Sequence, residues 1–259
     1  MNAVIAPAAP RTDSPAGPIK PSRSLLTAAG RAIGDYQMIR HGDRVLLGLS
    51  GGNDSLSLLH TLLYLQKRAP IKFELAACTV DPQSPDFDPS PLKPYMESLG
   101  VRYFYESQPI LEEAKEKMQG DSFCAYCSRM RRGILYRIAR ENGYKVLALA
   151  QHLDDLAETF MMSAFFGGKL RTMQAHYLND AGDVRVIRPF VYARERQTRD
   201  FAKNAGLPVI SENCPACFSM PMQRYQMKLL LEQQEREHPQ LFANLLTAMR
   251  PLIGMPPET

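Results

Sequence analysis

Short apolar runs and longer amphipathic stretches alternate along most of this chain. Residues 24–38 place Leu25, Leu26, Ala29 and Ile33 on one side, the spacing of an amphipathic helix. Residues 44–50, RVLLGLS, are an apolar run ending in Ser50-Gly51-Gly52, the pattern of a buried parallel strand meeting a turn. Residues 54–69 return to helical spacing, with Asp54 or Ser55 as the expected cap. A second buried strand is predicted at 73–81, then a proline-rich loop at 82–94 and a helix at 91–99. Residues 101–107 alternate as a third strand, and 109–118 read as a helix. A helix at 131–143 stops at Gly143, and 145–151 is a fourth strand. A helix at 156–166 ends before Gly167-Gly168, a fifth strand covers 184–190, and a helix at 195–206 stops at Gly206. A last helix is expected from about 221 to 237. Strands and helices alternating at this spacing define an α/β fold with a mostly parallel sheet, its functional loops at the C-terminal ends of the strands.

Composition narrows this little. The chain has 259 residues, 45% hydrophobic and 22% charged, enough for one core domain with appended ends. Residues 1–22 are rich in Pro and Ala, without the apolar stretch of a secretory signal, and read as a disordered tail. Residues 23–220 form the expected main domain and 221–259 a helical extension. No apolar run approaches membrane-spanning length, so a cytoplasmic protein is expected. The net charge of +4 is compatible with a nucleic-acid partner and equally with a plain solvated surface.

The sharpest local signal is Ser50-Gly51-Gly52-Asn53-Asp54-Ser55, between a strand and a helix. Two glycines allow a tight turn that brings backbone N–H groups to an anion, and a helix N-terminus favours phosphate. The pattern is not a Walker A loop. An ordinary strand–helix turn would look the same locally.

Five cysteines are present, and four form two C-x-x-C pairs: Cys124 with Cys127, and Cys214 with Cys217. An odd count without a signal peptide argues against a secreted disulfide framework. Two such pairs suit a tetrahedral zinc site, an iron–sulfur cluster on three or four thiolates, or, singly, a redox dithiol. Spacing alone favours structural zinc. Cys78, within a predicted strand, reads as core packing. Gln151-His152-Leu153-Asp154-Asp155 opens a helix after the fourth strand, where the acids either cap it or support Mg²⁺ on nucleotide phosphates. Arg129, Arg131, Arg132, Arg137 and Arg140, then Lys169 and Arg171, with Arg224, Lys228 and Arg250 near the C-terminus, suit RNA phosphates. For any one of them a solvated or acid-paired role is the plainer reading.

As an ordered set the motifs are more specific. The SGGNDS loop is followed by CAYCSRMRRG at 124–133, LAQHLDDLAET at 149–159, FFGGKL at 165–170, Arg188-Pro189 and Cys214-Pro-Ala-Cys217. Together they closely resemble the tRNA 2-thiocytidine synthetase family of the PP-loop ATP pyrophosphatase superfamily, over about residues 24–250. The resemblance implies a Rossmann-like PP-loop sandwich with helices on both faces. It implies ATP and Mg²⁺ at Ser50, Gly51, Gly52, Asn53, Asp54 and Ser55, supported by His152, Asp154 and Asp155. It implies a [4Fe–4S] cluster on Cys124, Cys127 and Cys214, with Cys217 as the alternative third ligand. Asp54 and the three cysteines would then be catalytic. Many family members carry Lys where Asn53 stands, so backbone amides, the helix dipole and Mg²⁺ supply the positive field instead. The implied reaction adenylates C2 of an anticodon-loop cytidine and replaces its oxygen with sulfur from a cysteine desulfurase. Family analogy also points to a homodimer. The rivals are a 2-thiouridine synthetase of the same superfamily and a zinc-stabilised RNA-binding module without ATP turnover.

Overall fold

The computed structural model describes residues 17–117, 123–210 and 223–254. Six strands form one sheet in the order β3-β2-β1-β4-β6-β5. They are β1 (Arg44–Gly48), β2 (Glu74–Asp81), β3 (Arg102–Ser107), β4 (Val146–Ala148), β5 (His176–Leu178) and β6 (Arg185–Ile187). All neighbours are parallel except β5, which runs antiparallel to β6 at the edge. The helices are α1 (Arg23–Asp35), α2 (Asn53–Arg68), α3 (Leu92–Ser98), α4 (Ile110–Lys117), α5 (Phe123–Glu141), α6 (Leu153–Gly167), α7 (Glu195–Asn204), α8 (Gln223–Glu237) and α9 (Leu241–Ile253).

The central strands are buried on both faces, as parallel strands covered by crossover helices must be. Val45 and Leu47 of β1 join one core with α1, α2, α6, α7 and the C-terminal helices. Leu46 faces the other, with Ile134, Leu135 and Ile138 of α5. α8 and α9 close the first core through Leu231, Phe242, Met249 and Ile253, so the C-terminal extension is built into the same core as the main domain. Among the described residues no helix is long and apolar enough to cross a membrane.

Several boundaries differ from those the sequence suggests. The expected tail through residue 22 is already anchored at Ile19, whose N–H donates to His60 Nδ1 at 3.0 Å, and Pro21 is buried. Residues 1–16 lie outside the described residues. α5 begins at Phe123 rather than 131, so Cys127 stands within a helix. The fifth predicted strand shrinks to the three residues of β6, and β5 and α9 are additions.

The chain leaves β1 for β2 and β3 on one side, then crosses to β4 on the other. Open α/β sheets bind ligands where the strand order reverses in this way. The reversal lies between the C-terminal ends of β1 and β4. Residues 49–52 and 149–152 emerge there.

Candidate active site

The loop after β1 is held by its own side chains. Ser55 Oγ accepts the Gly51 N–H at 3.1 Å and donates to Gly52 O at 3.1 Å. Ser50 Oγ takes the Gly52 N–H at 3.3 Å and meets Ser55 Oγ at 3.1 Å. Gly51 has φ +88°, and a Cβ there would collide with the Ile210 side chain. Ile210 N–H also donates to Gly51 O at 3.0 Å. Gly52, not Asp54 or Ser55, is the N-cap of α2, and it offers no side-chain bond to the first turn. Ser55 Oγ cannot cap the helix because it is occupied in bracing the loop. The first-turn amides of α2 therefore lack a side-chain cap and suit an anionic ligand.

His152 joins this loop to α6. Its Nε2 lies 3.6 Å from Asp54 Oδ2, and its Nδ1 lies 3.4 Å from Asp155 and 3.7 Å from Asp154. Burial opposes its positive charge, but the three carboxylates outweigh burial and raise its pKa to about 9. Nδ1 also faces the Asp155 N–H at 3.3 Å, the geometry of an acceptor. A protonated ring cannot accept that bond; the contact is long and weak, and the carboxylates govern the charge. Burial disfavours the Asp54 carboxylate, yet His152, Thr198 and Lys228 bring its pKa below the usual value. Thr198 Oγ1 donates to Asp54 Oδ1. The two adjacent acids diverge: Asp155 accepts the His152 N–H at 3.0 Å and lines the cleft, whereas Asp154 binds Arg194 at 3.0 Å and the Glu195 N–H at 2.9 Å.

This cluster sets a pH dependence. Below about pH 6.5 His152 is protonated folded and unfolded, and its contribution to stability is complete; it is lost as pH rises through about 9. Glu158, raised from 4.5 to about 7 by burial and then by Asp155, shifts stability in the same direction at lower pH. Urea unfolding of the nucleotide-free protein is expected to lose up to roughly 3 kcal/mol across His152's range, and His152→Gln to flatten that slope.

A cleft of about 560 Å³ runs from the loop across the top of the sheet. Ser50, Asp54, Ser55, Gln151 and Asp155 line it together with Cys127, Ser128, Arg131 and Arg132 of α5. Two polar atoms of cleft residues, Ser84 Oγ and Arg131 Nε, are buried without a hydrogen-bond partner among the described residues. Arg188, also on the wall, is buried and donates to Gln151 Oε1 at 3.0 Å and Gln174 O at 2.5 Å. Ser84 was not singled out from the sequence, and Arg188 only as part of a motif. Their signal is position, just beyond the C-terminal ends of β2 and β6.

Cys124 precedes Cys127 by three residues in α5. Cys214 and Cys217, expected to supply the third thiolate, lie outside the described residues, and among the described residues no group of three metal-ligating side chains assembles. Both described flanks of that segment are anchored at the site: Ile210 on Gly51, and Arg224 on Glu158 at 3.1 Å and Asp155 at 3.5 Å. Cys78 is buried, and burial pushes its thiol up to about 12, so it stays protonated. Arg137 pairs with Glu106 and Glu141, Arg140 with Asp183, and Lys228 with Glu195, so these cations are engaged within the fold.

A braced glycine loop at the switch point, opening on a cleft lined by both carboxylates and arginines, defines a nucleotide-binding α/β domain of the PP-loop class. The PP-loop domain family matches residues 25–219. The chain belongs to the tRNA-cytidine(32) 2-sulfurtransferase family. The relative of that name from Geobacter sulfurreducens is 40% identical over 228 residues, 88% of this chain and 89% of the relative. That from Pelobacter propionicus is 42% identical over 88% of this chain and 85% of its own length, and that from Shewanella pealeana 42% over 89% and 74%. The fold is also that of the U34-tRNA thiolase NcsA from Methanococcus maripaludis, solved with its [4Fe–4S] cluster: TM-score 0.70, 22% identity, 88% of this chain and 78% of that one.

Proposed function

We propose that this protein is an ATP-dependent tRNA sulfurtransferase acting on C2 of an anticodon-loop cytidine. The observation that carries this reading is that the phosphate loop and Cys127 line one cleft. Nucleotide activation and sulfur delivery can then meet on one bound base without release of an intermediate.

In the first step the C2 oxygen attacks the α-phosphorus of ATP, the α–β anhydride bond breaks and pyrophosphate leaves. The loop amides and the N-terminus of α2 receive the phosphates. Asn53 adds no cation, and Arg131, Arg132 and Arg188 on the cleft wall compensate electrostatically. The buried, unpartnered donors of Arg131 and Ser84 fit acceptor oxygens of such a ligand. Asp54 and Asp155 are the carboxylates suited to Mg²⁺, which would neutralise the phosphates, and His152 holds both in place. Asp154, tied to Arg194, fixes α7 against α6 and acts on the site at one remove.

In the second step sulfide-level sulfur attacks C2, the C2–O bond breaks and AMP departs with the oxygen. Adenylation makes that oxygen a competent leaving group. Cys124, Cys127 and Cys214 would hold the [4Fe–4S] cluster; with three thiolate ligands, one iron would stay open to bind sulfide. Cys214 follows Ile210, whose N–H bonds the Gly51 carbonyl, by four residues in sequence. That nearness along the chain supports Cys214, and Cys217 is the alternative. A tRNA-dependent conversion of ATP to AMP and pyrophosphate is the expected result. Formation of ADP, or turnover indifferent to tRNA, would overturn the reading.

A further inference from the structure

Beyond the cleft, one surface feature is unexplained by folding. Phe165, Phe166 and Leu170 are 57%, 52% and 66% exposed, within six residues of chain. They sit where α6 ends at Gly168 in a left-handed conformation with φ 58°. The turn is fixed: Lys169 N–H donates to Ser163 O at 3.1 Å, and Ser163 Oγ to Lys169 O at 2.7 Å. Thr172 Oγ1 ties the following segment to Leu156 O at 2.7 Å. Large apolar groups on a fixed exposed turn lose free energy to solvent unless something covers them.

Beside this turn lies a second hollow of about 410 Å³, lined by Leu170, Arg171, Met173, Tyr177, Arg132 and Arg188 among others. Among the described residues its walls include three arginines and no carboxylate. It shares Arg132, Met173 and Arg188 with the nucleotide cleft, so the two adjoin. Lys169 and Arg171 are exposed at its rim.

We propose that this turn and hollow are the docking surface for the single-stranded part of the RNA substrate. Phe165 and Phe166 stack on unpaired bases next to the reacting cytidine, Lys169 and Arg171 hold the backbone, and the hollow leads the target base toward the cleft. Exposed aromatic faces interleaved with cations are the chemistry that single-stranded nucleic acid recognises: a base covers the ring while its phosphate meets the cation. A protein partner is less well matched, because every charged side chain in the described lining of the hollow is an arginine. The inference rests on reading the chain as a tRNA thiolase.

The test is anisotropy of a labelled anticodon stem-loop RNA with a loop cytidine, titrated with wild-type and variant protein. Phe165→Ala with Phe166→Ala is expected to weaken binding about tenfold or more, since each stacked base is worth that order. The corresponding double Tyr variant restores binding, and the double Leu variant does not, because it keeps apolar area but not a stacking face. Lys169→Ala with Arg171→Ala lowers the salt dependence of affinity. Wild-type affinity in the double Ala variant would overturn the docking surface alone. A wild-type protein that binds ATP but no RNA would overturn the thiolase reading beneath it. Loss of a wild-type dimer in the double Ala variant, with RNA affinity unchanged, would make the patch an interface between copies and also overturn the proposal.

Discussion

Cys127→Ala protein, prepared without oxygen, is expected to transfer no measurable sulfur to tRNA and to hold almost no iron. Wild type would carry about four irons with matching labile sulfide per chain. The reason is chemical: alanine has no ligand atom, and removing one of three thiolates leaves the cluster without its anchoring set. Alanine is the most favourable helix residue, and Cys127 is half-buried within α5, so the fold should survive the change. ATP affinity is expected to change no more than a few-fold, because the phosphate loop is braced by its own Ser50 and Ser55 side chains. Cys78→Ala is the contrast. That thiol is buried and held protonated, with a pKa of about 12, so its loss is expected to leave iron content intact. Equal iron in wild type and Cys127→Ala would remove this residue from the ligand set. One zinc per chain, with no uptake of iron, would favour the zinc-stabilised module.

Gly51→Ala carries the second large effect. The residue has φ +88°, a region that costs an L side chain about 1–2 kcal/mol. Its new Cβ would also collide with Ile210, whose N–H donates to the Gly51 carbonyl. Relieving the clash shifts Ile210 or the loop itself, and a shifted loop loses the Ser55 Oγ contact to Gly51 N–H. ATP affinity is expected to fall by about a hundredfold, the loss of two or so phosphate contacts at 1.4 kcal/mol per decade. Gly52→Ala should be milder, because Gly52 has φ −75° and ψ 170°, which any residue adopts. Isothermal titration with ATP compares the two. Equal losses would mean that space at the loop, not the Gly51 conformation, limits binding.

Much of this architecture was legible in the sequence. Apolar runs located the parallel strands because those strands are buried on both faces, and glycines marked helix ends at Gly143, Gly168 and Gly206, each with positive φ. What sequence reasoning missed was set by distant partners. β5 is three residues long and exists through pairing with β6; nothing local separates His176–Leu178 from loop. α9 contains Pro251 and is held by docking of Phe242, Met249 and Ile253 into the core. Cys127 and Met130 continue the apolar face of α5 that includes Ile134, but the polar Ser128, Arg129, Arg131 and Arg132 between them conceal the helix around Cys127 in the sequence.

The site was legible in kind more than in detail. The loop, the acidic pair and the cysteine pairs all announced themselves by residue type and order. Asp154 and Asp155 are neighbours in sequence, but successive helix positions point about 100° apart, so only packing assigns one to Arg194 and the other to the cleft. Likewise Arg188, Arg224 and Lys228 look alike as sequence, yet the first lines the cleft and the other two are paired within the fold.

The most direct measurement is nucleoside mass spectrometry of tRNA after incubation with the iron-reconstituted protein, ATP, Mg²⁺ and sulfide under nitrogen. The expected product is 2-thiocytidine, formed only with ATP and matched by equal amounts of AMP and pyrophosphate. Thiouridine in its place, or thiolated cytidine formed without ATP cleavage to AMP, would contradict the proposed function.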